Sequence, residues 1–134
     1  MGRKSARDKA FKCVYEFEFN KDKNIDTILE VCYEENSCTE IEKEYIEQVV
    51  KGVKDNLEKI DEIILNNLKN WSISRIAKID LAILRLAIYE INYIENIPVK
   101  VSANEAVELA KTYGNSDSKS FVNGLLANVI EDSK

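Results

Sequence analysis

Apolar residues recur along this chain every three or four positions, which is the spacing of amphipathic helices. In the first predicted helix, about residues 5–19, the apolar stripe consists of Ala6, Ala10, Cys13, Val14 and Phe17. The same period predicts further helices over 25–34, from Thr39 to about 52–56, and over 57–68, 75–94 and 102–113, and a last helix after Asp117 whose Phe121, Leu125 and Val129 share one side. This pattern gives about seven helices and no convincing strand, so the predicted fold class is all-α.

Local signals predict where several of these helices begin and end. Thr39 with Glu42 and Ser102 with Glu105 both match a capping box, which favours a helix start at each site. Gly114 is typical of a helix end in the left-handed conformation. Asp117 is expected to cap the last helix.

The segment 75–94 is apolar on nearly every face, which predicts a buried central helix. Its charged residues Asp80, Arg85 and Glu90 then need partners, because an unpaired buried charge is costly. The pair Asn123-Gly124 interrupts the last helix. Glycine there costs helix stability, so we expect the central helix to approach closely at Gly124, with Asn123 bonded to its backbone.

Composition narrows the class of protein. The 134 residues suit one domain, and 45% hydrophobic with 32% charged residues is typical of a folded, soluble protein. Three cysteines without CxxC spacing, Cys13, Cys32 and Cys38, predict reduced thiols rather than a disulfide frame or a metal site. The chain shows no signal peptide and no apolar run that could span a membrane, so a cytoplasmic location is expected.

Catalytic signals are absent from the sequence. It contains no histidine, the commonest general base, and no glycine-rich nucleotide loop. Cys13 and Cys32 fall on apolar stripes and are interpreted as small core residues. We therefore expect no enzyme, no metal site and no cofactor.

Positive charge is concentrated at the N-terminus although the net charge is −5. The segment 1–12 holds five basic residues against Asp8 alone, and Arg3, Lys4 and Arg7 would share one edge of a helix. Guanidinium groups suit phosphate contacts. A basic arm on an acidic body suggests an anionic partner, although a merely solvated terminus fits the charges equally.

A second candidate is the polar break 114–120 ahead of Phe121. Its small residues expose backbone donors at a helix N-terminus, Lys119 adds a cation, and the ring of Phe121 could stack on a base. The alternative is a solvated turn beside a core phenylalanine.

Four segments together resemble the NusB family of bacterial transcription antitermination factors. They are "RDKAFKCVYE" (7–16), "ILRLAIYE" (83–90), "IPVKVSANEAVELAKTYG" (97–114) and "SKSFVNGLL" (118–126). They occur in the family's order and span nearly the whole chain. The resemblance implies two small helical bundles that share the long buried helix, here about 1–70 and 71–134 of a single domain.

The resemblance also implies a function. NusB proteins bind a short single-stranded boxA element in ribosomal RNA leader transcripts together with NusE, a small-subunit ribosomal protein. This pair joins other Nus factors on RNA polymerase to suppress termination, without catalysis. The RNA contacts implied for this chain come from two regions and one tyrosine, namely Arg3, Lys4, Arg7, Tyr15, Asp117, Ser118, Lys119 and Phe121. Tyr15 is also implied at the NusE contact, and Asp80 at the NusE-facing surface.

Two other functions stay open on the sequence. One is a protein-interaction module whose basic arm has no intrinsic RNA affinity. The other is an enzyme that uses a pair of carboxylates. The sequence is compatible with a monomer and with a homodimer whose arm is covered until a partner binds.

Overall fold

The computed structural model describes residues 2–68 and 72–132, with side chains from Lys4 onward. These residues form seven α-helices and one short 3₁₀ helix, with no strand among them. The α-helices are α1 Gly2–Phe19, α2 Ile25–Glu35, α3 Glu40–Asp55, α4 Leu57–Asn66, α5 Lys78–Tyr93, α6 Val99–Tyr113 and α7 Ser118–Asp132, and the 3₁₀ helix is Ile73–Arg75. The all-α prediction is confirmed.

Helix α5 lies at the centre of the fold. Every residue from 81 to 90 is buried, and α5 contacts α1, α3, α4, α6 and α7. Helix α1 packs on α2 and α3 as well, and α6 packs on α7. The all-round apolar pattern of 75–94 therefore predicted the central helix correctly. The division into sub-bundles at about residue 70 stays a prediction.

The start of α3 follows its local signal. The Thr39 side chain accepts a hydrogen bond from the Glu42 backbone N–H at 3.1 Å, and the Thr39 backbone N–H donates to Glu42 Oε1 at 3.1 Å. This is the predicted capping box, which satisfies two backbone donors at once. A short-range signal was sufficient here because both partners lie within one turn.

Helix α6 begins and ends differently from the prediction. It starts at Val99 with Pro98 at the N-cap, so Ser102 lies inside the helix, where it is buried. Gly114 has φ −90° and ψ −173°, which is extended and not left-handed. A Cβ at Gly114 would lie 2.8 Å from the Ala110 carbonyl oxygen and would overlap Ser118. Close approach of Ser118, rather than positive φ, therefore explains this glycine.

The glycine at a close helix contact is Gly52 of α3, and the expectation for Gly124 is wrong. A Cβ at Gly52 would overlap the ring of Tyr89 on α5, whereas a Cβ at Gly124 would meet no atom within 4 Å. Asn123 and Gly124 are both exposed, so neither faces α5. The sequence shows that a glycine interrupts a helix, but not which face of the helix it occupies.

Replacing Gly124 with Ala is expected to raise the free energy of unfolding by about 0.5–1 kcal/mol, because alanine loses less backbone entropy in a helix. Urea denaturation followed by circular dichroism measures the change. The matched control is Ala127→Gly, which is exposed on the same helix and should lower stability by a similar amount. A destabilised Gly124→Ala variant would contradict the open surface at this position.

Within the described ranges, no helix is both long enough and apolar enough to cross a lipid bilayer.

Candidate nucleic-acid interface

A buried ionic cluster joins four helices beneath the N-terminal arm. Arg7 of α1 donates two hydrogen bonds to Glu90 of α5, from Nε to Oε2 at 2.9 Å and from Nη2 to Oε1 at 3.0 Å. Tyr45 of α3 donates to Oε2, and Ser102 of α6 donates to Oε1 at 2.7 Å. Arg7 is 4% exposed and Glu90 1%, so the pair is removed from water.

Burial alone would lower the pKa of Arg7, but the hydrogen bonds and the charge of Glu90 outweigh it, so the pKa is raised. Arg7 therefore stays cationic while its charge is neutralised internally. Hydrogen bonds from charged donors to a carboxylate in a bidentate arrangement are among the strongest in proteins. This cluster fixes where α1, α3 and α6 sit on α5.

The expectation that Arg7 is displayed along a helix edge is wrong. Arg7 lies three and four residues before Ala10 and Phe11, on the buried stripe of α1. The sequence did contain a signal for this burial. Glu90 needs a partner inside the apolar helix α5, and the position of Arg7 on the apolar stripe of α1 could have identified Arg7 as that partner. Lys4 is exposed and Arg3 lies outside the described side chains, so of the predicted arm residues only Lys4 can be placed at the surface.

A shallow groove connects the arm with the start of α7 across α6. Two adjoining depressions of about 630 and 470 Å³ share Lys4, Glu105 and Glu108. Lys119 lines the α7 end of this groove. The remaining lining residues are Ser5, Arg7, Asp8, Asn104, Val107, Leu109, Lys111, Thr112, Ser120 and Asn123. The structure thus brings two separately predicted cations, Lys4 and Lys119, to one surface.

Carboxylates moderate the positive charge of the groove. Lys4 Nζ lies 3.2 Å from Glu105 Oε1, and the same oxygen lies 4.0 Å from Arg7 Nη1. Lys111 pairs with Glu108 at 3.2 Å. An RNA phosphate at this site would have to compete with Glu105 for Lys4.

The polar break before α7 is held by Asn115. Its side-chain Oδ1 accepts from the Asp117 N–H at 2.8 Å, and its own N–H donates to Ser118 Oγ at 3.0 Å. Ser118 is 1% exposed, so its expected display to a ligand is wrong: the hydroxyl holds the turn instead. Asp117 and Lys119 are exposed, and Phe121 is half-buried against the core.

A row of aromatic side chains runs along α1 beside this turn. Ring centroids are 5.0 Å apart for Tyr113 and Phe11, 6.2 Å for Phe11 and Tyr15, and 4.9 Å for Tyr15 and Phe19. Tyr15 is half-buried, and Phe19 is 56% exposed. Phe19 was missed from the sequence although it follows Tyr15 by four residues, which places both on one helix face.

Tyr113 is tied to α1 by a second polar contact. Its hydroxyl donates to Asp8 Oδ1 at 2.6 Å, and Lys12 lies 3.3 Å from Asp8 Oδ2. The hydrogen bond to Asp8 raises the pKa of Tyr113, with burial adding to it, because both favour the neutral phenol. The aromatic row is therefore anchored at its α6 end.

Asp80 lies in the first turn of α5, where a negative charge is favoured by the helix dipole. It is 6% exposed, and its Oδ1 atom is buried without a hydrogen-bond partner among the described residues. The expectation that it is displayed on a partner-facing surface is therefore not met in this chain. Arg85, by contrast, is paired with Asp61 at 2.9 Å and with Glu18 at 2.7 Å.

Comparison with known proteins settles the family. The family model described as the NusB family matches residues 4–131. The chain belongs to the NusB family. It is 48% identical to the transcription antitermination protein NusB of Clostridium acetobutylicum, over 100% of this chain and 98% of that protein. It is 47% identical to NusB of Acetivibrio thermocellus, over 98% and 90%.

Solved structures of NusB proteins have the same fold. NusB of T. maritima superposes with a TM-score of 0.93 and 36% identity, covering 98% of this chain and 92% of that one. A chain from the crystal structure of the antitermination factors NusB and NusE in complex with double-stranded RNA gives a TM-score of 0.89 and 28% identity, over 97% and 96%.

Membership of the NusB family makes this protein a transcription antitermination factor. The family consists of adaptors rather than enzymes, so the prediction of a non-catalytic protein is confirmed.

Proposed function

We propose that this NusB-family protein binds a short single-stranded boxA-type RNA of ribosomal RNA leader transcripts together with NusE. In this role it acts in the cytoplasm, and through NusE and other Nus factors it contributes to antitermination by RNA polymerase. The observation that carries the proposal is the groove that joins Lys4 on α1 to Lys119 on α7. A relative of the same fold occurs in a complex with NusE and double-stranded RNA, which supports both partner classes.

The two ends of the groove supply different contacts. Lys4 and Lys119 are exposed amines suited to phosphates, and Arg3 precedes Lys4 on the same arm. Asp117 and Ser120 flank Lys119, and Phe121 offers part of a ring for base stacking. Arg7 and Ser118 support this surface from below, because both are buried in hydrogen bonds.

The aromatic row is the proposed NusE-facing surface. Tyr15 and Phe19 present half-buried and exposed rings at the end of α1, and exposed aromatic groups are enriched at protein interfaces. Asp80 is buried in the first turn of α5 and displays no carboxylate to this surface.

An electrophoretic shift with a boxA-type RNA tests the proposal, with NusE titrated in. Single-stranded and duplex forms of the same sequence are compared at low salt. We expect the single strand to shift, more strongly with NusE. Absence of a shift for either form, with or without NusE, would refute the RNA part of the proposal.

Replacing Lys119 with Ala is expected to weaken single-strand binding about three- to tenfold, equivalent to about 0.7–1.4 kcal/mol. One lost phosphate contact should also lower the slope of log K against log salt by about 0.7. The matched control is Lys59→Ala, an exposed lysine on α4 that does not line the groove. Equal losses in both variants would show that general charge, and not the groove, governs binding.

The second candidate function is a protein-interaction module without intrinsic RNA affinity. It is favoured by the internal pairing of Arg7 with Glu90 and of Lys4 with Glu105, which leaves little free positive charge. In that case the native chain binds NusE but does not shift RNA, and Phe19→Ala weakens NusE binding. Lys119→Ala changes neither the RNA shift nor NusE binding.

A further inference from the structure

Two buried cysteines, one on α1 and one on α2, line a single pocket and have no part in the proposed binding function. Cys13 of α1 and Cys32 of α2 line the same pocket, which has a volume of about 330 Å³. They are 3% and 8% exposed, and neither forms a disulfide. Cys38, after the end of α2, is half-buried and does not line the pocket.

The surroundings of the two thiols differ. Asn36 Nδ2 lies 3.9 Å from Cys32 Sγ, and Lys9 Nζ is held nearby by the Ser37 carbonyl oxygen at 3.1 Å. Contact with the Cys13 thiol lowers the pKa of Cys32 to about 7, with the Lys9 charge assisting. The same contact with Cys32, together with burial, raises the pKa of Cys13. Cys32 is thus the more acidic of the two thiols and the one that reacts as a thiolate.

The pocket gives a small oxidant access to this pair. Its wall includes two basic residues, Lys12 and Lys23, and two acidic ones, Glu16 and Glu35, so the positive charge that favours a Cys32 thiolate comes from Lys9. No group of cysteines and carboxylates in the described ranges is arranged to hold a metal ion.

We propose that Cys13 and Cys32 form a dithiol modification site that hydrogen peroxide converts to a disulfide between α1 and α2. The Cys32 thiolate attacks one peroxide oxygen, so that an S–O bond forms, the O–O bond breaks and hydroxide leaves as water after protonation. The Cys13 sulfur then attacks the Cys32 sulfur, the S–S bond forms, and the hydroxyl leaves with the Cys13 proton as a second water. Both thiols are oxidised and one peroxide is reduced to two waters.

Thiol titration and peptide mapping of the full chain test the proposal after treatment with hydrogen peroxide and removal of excess oxidant. The chain has three cysteines, and we expect the count of free thiols to fall from three to one. Mapping should identify a Cys13–Cys32 peptide pair, and dithiothreitol should restore all three thiols. The Cys38→Ser variant should behave in the same way, starting from two thiols and ending at none.

Two further variants separate the two steps. Cys13→Ser should stop at a Cys32 sulfenic acid that dimedone traps, whereas Cys32→Ser should show no rapid oxidation at position 13. Serine is close in size to cysteine, and circular dichroism confirms that each variant is folded. A Cys32–Cys38 disulfide, an intermolecular disulfide or oxidation of Cys38 alone would overturn the proposal, as would three unchanged thiols.

Discussion

Replacing Glu90 with Ala is expected to lower the free energy of unfolding by about 3–5 kcal/mol, because it leaves the Arg7 charge buried without its partner. Tyr45 and Ser102 would lose their acceptor at the same time. The stability of a typical domain is only about 5–15 kcal/mol, so the variant should be close to unfolding. Urea denaturation at neutral pH measures the loss.

A variant without either charge shows whether the loss in Glu90→Ala comes from the unpaired charge or from lost packing. The double variant Arg7→Met with Glu90→Leu removes both charges and should recover most of the lost stability. Glu44→Ala, on the exposed side of α3, is the matched control and should change stability by no more than about 0.5 kcal/mol. A Glu90→Ala variant within 1 kcal/mol of the native chain would mean that the pair does not hold the helices together.

Replacing Gly52 with Ala is expected to destabilise the protein by about 1–3 kcal/mol, since the added methyl group would overlap the Tyr89 ring. Alanine is the better helix former, so helix propensity alone predicts that the substitution stabilises the protein. The ring cannot move away freely, because Tyr89 is 8% exposed and stacks on Tyr93 with 5.1 Å between centroids. Thermal and urea unfolding measure the change.

Two comparisons make the Gly52 result specific. Gly124→Ala places the same substitution in a helix with open space around it, and should stabilise. In a chain that carries Tyr89→Leu, Gly52→Ala should lower the free energy of unfolding by less than it does in the chain with tyrosine. A double-mutant cycle measures this coupling. Equal effects of Gly52→Ala in both backgrounds would contradict a direct steric conflict.

Features encoded within one or two turns of helix could be predicted from the sequence. The capping box at Thr39, the break before Leu57 and the central position of α5 all follow from short-range spacing or from a continuous apolar segment. The start of α6 could not be predicted in this way. Ser102 matches a capping residue locally, but the Glu90 carboxylate of another helix takes its hydroxyl.

The candidate site was predictable in location but not in detail. Charge and resemblance pointed to the arm and to the turn before α7, and the structure places Lys4 and Lys119 on one groove. Burial of Arg7 depends on a tertiary partner, Glu90, whereas the Ser118 hydroxyl is held by Asn115, three residues earlier in the same turn. Composition records that an arginine is present, but not whether its charge is already neutralised.

The contact between Glu105 and Lys4 has a consequence for how RNA binding would respond to ions. A lysine surrounded by solvent releases a condensed cation from the nucleic acid when it binds a phosphate. Lys4 already holds the Glu105 carboxylate at 3.2 Å, so a phosphate must displace that carboxylate in order to bind. The displaced carboxylate would stay close to the phosphate and weaken the contact by repulsion. In the proposed complex we therefore expect Lys4 to contribute less than Lys119 to the salt dependence of binding.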